Sequence, residues 1–408
     1  MQKVIGCDIG NGILVFYDPE EGFKVWIEKG VKVEVPQTAK IITETGEEKK
    51  IPVQKFEPPK RYDHDNHLHQ LGQIVKGKTV VIENTGTYSV RYGILFLMLG
   101  AKEVYTVHGR EFARFYIHTR KTKDDYFDAY YLHLYGRQDN AKIHKFNPDM
   151  HKARLLYTQY KKLIKARTSF INTLRQILPI YYPHQVPITS EALIKKVEKG
   201  EYDNLGISHL IQPLKVIIKE IKQIQKQMEE ELDRLTETER RILGDFFNSN
   251  IAYAYCVKAL YWDISRFHNE DSFISYMILG GNTKSSGKGK RGEWKITNVR
   301  GEILVLGYNI YISSFGRGTE KKIFSPLAKY VSRKWRKGKI LAFTDIFVRL
   351  LYKCLREQKS LSDVLLDLIR RIEKDPNPNN RTRLECYTEM LNIISEKFVA
   401  QVLEKLEK

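Results

Sequence analysis

Hydrophobic and polar positions divide the chain into three stretches. In the first, Lys3–Cys7 is a short apolar run ending at Asp8, and Ile13–Tyr17 is a second after Gly10 and Gly12. Phe23–Ile27 and Val31–Val35 alternate at period two, the spacing of half-buried strands, so this part predicts a three-stranded antiparallel meander. Residues 36–75 are polar, and Pro36, Pro52, Pro58 and Pro59 predict a break in regular structure there. Thr79–Ile82 and Val104–His108 read as strands, and Val90–Leu99, Arg110–Arg120 and Asp124–Tyr135 as helices. The second stretch predicts a long helix over His151–Leu178, stopped by Pro179. A further helix spans Leu214–Leu235, where apolar residues at Leu214, Ile217, Ile221, Ile224, Met228 and Leu235 follow a seven-residue repeat. The two predict an antiparallel hairpin with its tip near Pro183–Asp203 and an apolar stripe available for self-association. The third stretch is helical, interrupted by a region rich in Gly and Lys.

Three strands followed by alternating helices and strands is the element order of an RNase H-like (RuvC-like) α/β domain, not of a Rossmann sheet with its early alternating crossovers. The predicted organisation is an RNase H-like domain over 1–146, a helical hairpin or coiled-coil assembly region over 147–240, a basic domain over 241–340 and a helical extension over 341–408.

Charge changes the picture next. The chain carries 68 Lys and Arg against 49 Asp and Glu, a net +19. An excess of that size selects a polyanionic partner, nucleic acid before an anionic membrane. From Lys284 to Lys339 there are 15 Lys and Arg against three Glu, with Trp294, Tyr308, Tyr311, Phe315, Phe324, Tyr330 and Trp335 threaded between them. Basic residues neutralise phosphates and aromatic rings stack on exposed bases. Lys284, Lys288, Lys290, Arg291, Lys295, Arg300, Arg333, Lys334, Arg336 and Lys337 are therefore the candidate nucleic-acid contacts. The competing reading is a solvated basic face with its aromatics in the core. No run of about 18 apolar residues is present, and no secretory pattern opens the chain. Cys7, Cys256, Cys354 and Cys386 lie far apart, which fits buried thiols in a reducing compartment rather than a disulfide or zinc framework. The expected location is the cytoplasm, at the nucleoid.

Four carboxylates carry the candidate chemistry. Asp8 ends the first strand and Glu83 the fourth, while Asp125 and Asp128 share one helix face at i and i+3. In an RNase H-like sheet the first and fourth strands end side by side, and the last helix lies against them. Converging carboxylates repel each other unless cations sit among them; Mg²⁺ prefers such hard oxygen ligands, and two such ions can clamp a reacting phosphate. Asp125 and Asp128 alone would read as a solvated helix face. Asp8-Ile-Gly-Asn-Gly12 is also similar to the first phosphate loop of actin-like ATPases, but the second Asp-x-Gly loop that fold needs is absent. Near 280–292 two adjacent serines, Ser285 and Ser286, sit among Gly and Lys. Either hydroxyl could attack phosphorus there, and a plain Gly/Ser/Lys linker is the alternative. The spacing of a P-loop does not occur.

Taken in order, these boxes resemble the DEDD transposases of bacterial and archaeal insertion sequences, the family numbered one hundred and ten, with the Piv-type DNA invertases as relatives. Asp8 in Ile-Gly-Cys-Asp-Ile-Gly resembles the first Asp of that family, and Glu83 in Ile-Glu-Asn-Thr-Gly-Thr-Tyr88 resembles its E-x-T-G-x-Y box. Lys123-Asp-Asp-Tyr-Phe-Asp-Ala129 is similar to K-x-D-x-x-D-A and selects Asp125 over Asp124. Asp263–Phe267 followed by Phe273–Gly280 resembles a later segment, and Ser286-Gly287 falls where the family has its Ser-Gly nucleophile. The likeness covers residues 1 to about 315. It departs in the long polar spacer 36–75, in the missing Gly-Ile-Gly turn near Phe247–Ile251, and after Ser286, where only Arg300-Gly301 follows the pattern.

The resemblance implies a DNA transposase or recombinase. Ser286 would attack a DNA phosphate and form a 5′-phosphoserine link, with Mg²⁺ held by Asp8, Glu83, Asp125 and Asp128. Donor and target DNA, a structured guide RNA, and a homodimer or tetramer are the implied partners. Two other classes stand beside it: a Mg²⁺-dependent nuclease or junction resolvase without serine chemistry, and an inactive nucleic-acid-binding descendant.

Overall fold

The computed structural model describes residues 3–43, 45–58, 64–116, 124–181, 189–203, 206–247, 250–278, 301–315, 322–335, 338–374 and 380–406. The chain divides into two compact units, residues 1–151 and 152–408.

The first unit is built on an eight-stranded mixed sheet. Its strands are β1 (Val4–Ile9), β2 (Ile13–Asp18), β3 (Gly22–Ile27), β4 (Thr38–Ile42), β5 (Glu48–Phe56), β6 (Thr79–Glu83), β7 (Glu103–Val107) and β8 (Ile143–Lys145). They lie in the order β4-β5-β3-β2-β1-β6-β7-β8. β1, β2 and β3 form the expected antiparallel meander, and β1, β6 and β7 run parallel. The parallel strands are apolar nearly throughout because helices cover both faces. On one face α1 (His64–Val75) and α2 (Thr87–Met98) bury Leu71, Ile74, Val75, Tyr92 and Phe96 against Ile5, Cys7, Val80 and Ile82. On the other, α3 (Gly109–Tyr116) and α4 (Asp125–Gly136) bury Phe112, Ala129 and Leu132 against Val15, Val25 and Val81.

Two expectations are corrected in this unit. Among its described residues the polar stretch 36–75 is not irregular: Thr38–Ile42 and Glu48–Phe56 form the β4–β5 hairpin and His64–Val75 forms α1. Pro52 fits because it marks a change of partner. β5 pairs with β4 through Glu48–Pro52 and with β3 through Val53–Phe56, so the missing N–H falls at the hand-over. Val31–Val35 pairs with no strand; its valines pack, partly buried, on the second core.

The second unit is helical. α5 (Pro148–Tyr181) opens with Pro148 in its first turn, and the Asn147 side chain accepts from the backbone N–H of Asp149 and Met150. Pro179 does not stop α5; it lies inside the final turn, where the loss of one hydrogen bond is tolerated. α6 (Ser190–Glu198) and α7 (Ser208–Asp233) follow. The end of α5 (Ile171, Leu174, Leu178) packs with α6 and the start of α7 (Ile211, Leu214, Ile218), and its beginning (Ala153) packs with Met228 near the end of α7. The two long helices are therefore antiparallel, as expected.

The heptad stripe is a further correction. Leu214, Ile221 and Met228 are buried within this one chain, so the stripe is not an apolar face awaiting a second copy. The remaining helices are α8 (Glu237–Phe247), α9 (Ile251–Tyr261), α10 (Glu270–Met277), α11 (Gly301–Ser313), α12 (Ser325–Lys334), α13 (Lys339–Glu357), α14 (Leu361–Glu373) and α15 (Arg381–Leu406). One apolar core runs through them, from Ile242 to Met390. No described helix is long and apolar enough to cross a membrane.

Candidate active site

The four carboxylates come together in the first unit, and the backbone explains how. Parallel pairing sets Cys7 opposite Ile82, so Asp8 and Glu83 are neighbours at the carboxyl ends of β1 and β6. Ligands gather at such strand ends because the loops diverge there and leave a crevice.

α4 runs antiparallel across β1. At its far end, a Cβ on Gly136 would fall 2.6 Å from Val81 and 3.5 Å from Val4. Nearer the site, a Cβ on Gly6 would fall 2.0 Å from the carbonyl oxygen of Ala129 and 2.4 Å from the backbone N of His133. Helix backbone thus sits directly on strand backbone, a contact that only glycine permits. The buried His133 fastens the pair: its Nδ1–H donates to the Val4 carbonyl at 2.8 Å. Continuing past Gly6, the first turn of α4 carries Asp128 and Asp125 to Asp8.

Asp124 serves a different purpose. It is the N-cap of α4, its side chain accepting from the Tyr126 N–H at 2.9 Å. Asp125 is exposed and Asp128 is buried.

Electrostatics report the convergence. Burial first, then the charges of Asp125, Asp128 and Glu83, push the Asp8 carboxyl up to about 7. One side chain that feels three other carboxylates, and would rather stay protonated, marks a place that favours positive charge. The donor chemistry, four carboxylates, fits a hard divalent cation. Among the described residues no three or more Asp, Glu, His or Cys side chains form a group that could hold a metal ion.

Two further contacts border the carboxylates, and of their residues Gly109 escaped the sequence. The Tyr88 hydroxyl donates to Asn11 Oδ1 at 3.4 Å, tying the loop after β1 to the first turn of α2. Gly109, just after β7, faces Glu83; a Cβ there would lie 2.4 Å from Glu83 Oε1. The available signal was positional, since His108-Gly109 ends an apolar strand run as Glu83 does.

The basic residues belong mostly to the second unit. Residues 152–408 hold 46 Lys and Arg against 29 Asp and Glu, so +17 of the +19 lies there. Ser285, Ser286, Lys284, Lys288, Lys290, Arg291, Lys295, Arg300, Arg336 and Lys337 lie outside the described residues. Arg333 and Lys334 are exposed at the end of α12, with Lys334 over the rings of Tyr330 and Trp335. The aromatics of the basic stretch divide. Tyr308 and Phe315 are exposed, whereas Tyr311, Phe324 and Tyr330 are core residues, which removes those three as stacking surfaces.

No curated protein matches the chain. Residues 37–183 match the model of a transposase family, the DEDD transposases of the insertion-sequence family numbered one hundred and ten. The matched stretch contains Glu83, Asp125 and Asp128 and begins after Asp8. Over residues 37–183, which include three of the four carboxylates, the chain is similar to that family of DEDD transposases.

Proposed function

We propose that the chain is a DNA transposase that cuts and rejoins strands with a serine nucleophile, Ser286, and a carboxylate site for a divalent cation. The observation that carries the reading is the convergence of Asp8, Glu83, Asp125 and Asp128, felt in the raised Asp8 carboxyl. The sheet order β3-β2-β1-β6-β7, with only β2 reversed among them, supports an RNase H-like platform beneath it.

In this reading Asp8, Glu83, Asp125 and Asp128 would hold Mg²⁺, which supplies Lewis-acid polarisation of a DNA phosphate. The Ser286 oxygen attacks phosphorus, the bond to the 3′ oxygen breaks, and a 5′-phosphoserine link results. Lys288, Lys290 and Arg291 offset the negative charge that builds on the phosphate oxygens. Tyr88 and Asn11 stiffen the rim of the carboxylate site. Binding to a structured guide RNA and assembly into dimers and tetramers belong to the same reading, as does a cytoplasmic location at the nucleoid.

Covalent trapping tests it. Wild-type protein incubated with substrate DNA and Mg²⁺ is expected to yield a denaturant-resistant protein–DNA adduct that Ser286→Ala abolishes. Cleavage without any adduct would move the assignment to a metal-dependent nuclease using water. Loss of the adduct in Ser285→Ala alone would move the nucleophile by one residue.

Salt dependence tests the basic surface. Each phosphate contact adds about 0.9 to the slope of log affinity against log salt, so Arg333→Gln with Lys334→Gln is expected to lower that slope by up to about two. An unchanged slope in fluorescence anisotropy titrations would remove these two residues from the interface.

A further inference from the structure

A cavity of about 310 Å³ opens on the first unit between α1, α2 and the end of β3. It lies at the same end of the sheet as the carboxylates. β3 shares the direction of β1, both being antiparallel to β2, and Glu28 directly follows β3. The backbone N–H of Glu28 donates to the Gly12 carbonyl at 2.8 Å, in the loop that leaves Asp8. Asn11 in that loop is three residues on from Asp8, at most about 11 Å of chain. Along α2, Tyr88, Arg91, Tyr92 and Leu95 share one face at i, i+3, i+4 and i+7, so this face leads from the carboxylate rim to the cavity. The inner wall is rigid. The Trp26 and His67 rings stack 4.5 Å apart at 18°. Trp26 Nε1–H donates to the His67 carbonyl at 3.2 Å, and His67 Nε2–H to the Ile27 carbonyl at 2.9 Å. The mouth is charged: Arg91 pairs with Glu28 and lies over the Tyr92 ring at 5.1 Å. One polar group of the wall is unpaired. The Tyr92 side chain is fully buried, and among the described residues its hydroxyl has no hydrogen-bond partner. Burial first, then the charge of Glu28, hold that hydroxyl above its ordinary range, so it sits toward the carboxylate of the mouth. Leaving a buried hydroxyl unpaired costs stability, and one kept at that cost in a cavity wall calls for a ligand.

We propose that this cavity takes a DNA base unstacked from its strand, one bearing an exocyclic amino group, beside the phosphate at the carboxylates. The choice of DNA as partner rests on the transposase reading. The volume is at the low end of small-molecule sites, about 300–1,000 Å³, which suits a single base. Bases held outside a duplex are read by apolar and aromatic walls together with hydrogen bonds to their edges. Tyr92 and Leu95 supply the wall. The Glu28 carboxylate accepts from an amino group, as carboxylates do from cytosine, and the Tyr92 hydroxyl gains the partner that the fold denies it. Arg91 and Lys29 place positive charge at the mouth, where the phosphates of the strand would run. An aliphatic ligand would leave the hydroxyl unpaired, and thymine would bring no amino group to Glu28. The Arg91 side chain is 56% exposed, so its pair with Glu28 contributes little to stability and opens easily to a ligand.

The test uses the full chain in EDTA, where no strand chemistry is needed, with short single-stranded DNAs that carry one 5-iodocytosine or, in its place, one 5-iodouracil. Near-ultraviolet light couples an iodinated base to an aromatic or sulfur-bearing side chain beside it, and peptide mass spectrometry locates the link. Coupling of 5-iodocytosine is expected at Trp26, Tyr92 or Met98, about fivefold above that of 5-iodouracil. Leu95→Trp, which fills the cavity, is expected to abolish coupling to these three. Glu28→Gln, which can donate as well as accept, is expected to bring the two bases level. Tyr92→Phe is expected to lower both yields about fivefold while melting at the parent temperature or above it, because the hydroxyl it removes has no partner in the fold. Links confined to other residues, equal yields from the two bases in the parent, persistence in Leu95→Trp, or undiminished yields in Tyr92→Phe overturn the proposal. Stronger coupling of the matching RNA overturns the assignment to DNA. Adduct trapping fails separately: links in the cavity without any covalent DNA adduct sink the serine reading and leave this site standing, whereas an adduct without links in the cavity does the reverse.

Discussion

Gly6→Ala is expected to destabilise the sheet unit by on the order of 3 kcal/mol and to eliminate activity. The added Cβ would meet backbone, the Ala129 carbonyl oxygen at 2.0 Å and the His133 nitrogen at 2.4 Å, and no rotamer change relieves a clash with backbone. α4 must lift from β1, which breaks the His133–Val4 hydrogen bond and opens the core around Ala129 and Leu132. The same movement withdraws Asp125 and Asp128 from Asp8, so the site comes apart even in molecules that stay folded. Gly10→Ala is the matched control, since its Cβ would sit at an ordinary 3.4 Å from the Ile13 carbonyl oxygen. Urea denaturation of the full chain, followed by a signal from the sheet unit, makes the comparison. Equal midpoints for Gly6→Ala and the parent would mean that α4 is not seated as described.

The contact at Gly6 also shows what was legible in the sequence. The carboxylates could be found because each of Asp8 and Glu83 ends an apolar strand run, and strand ends are where a buried run meets solvent. Asp125 was separable from Asp124 only through the family motif; the structure supplies the physical reason, because Asp124 is occupied in capping α4. The β4–β5 hairpin was hidden by its own chemistry. Glu48–Phe56 exposes Glu48, Lys49, Lys50, Lys55 and others to solvent, and Pro52 reads as a breaker unless the change of partner strand is known. α1 was hidden likewise, with His64, Asp65, Asn66, His67 and His69 diluting the stripe formed by Leu68, Leu71, Ile74 and Val75. Tyr311, Phe324 and Tyr330 misled in the opposite direction. A basic stretch with aromatics has one composition whether the rings face bases or a core, and only the packing against Phe246, Phe343 and Phe347 separates the two. The heptad on α7 was real as a pattern, but a pattern names a buried face and not the chain that buries it.

Above pH 7 and without divalent cation, Asp8→Asn is expected to be more stable than the parent. The ordinary carboxyl value for Asp8 is 3.8 and its folded value is about 7. The folded state therefore binds this proton more tightly than the unfolded state. Its contribution to stability is fully present below about pH 4, declines as pH rises from 4 to 7, and is lost above 7. Roughly three pH units at about 1.4 kcal/mol each set a ceiling near 4 kcal/mol on the cost of ionising Asp8. Asparagine removes that charge at every pH, so the melting-temperature difference between variant and parent should be small near pH 4 and reach several degrees at pH 8. Comparing the two proteins at each pH cancels other titrating groups, such as His133, whose burial holds its ring below the usual range. A hard divalent cation reverses the order, because it favours the ionised quartet that the bare protein resists. Mg²⁺ at millimolar concentration is expected to raise the melting temperature of the parent at pH 8 and to leave Asp8→Asn nearly unmoved. Removing the ion with EDTA should restore the starting difference. A parent whose advantage or deficit against Asp8→Asn is constant from pH 4 to 8, or an equal response of both proteins to Mg²⁺, would show that Asp8 is not the focus of the carboxylate cluster.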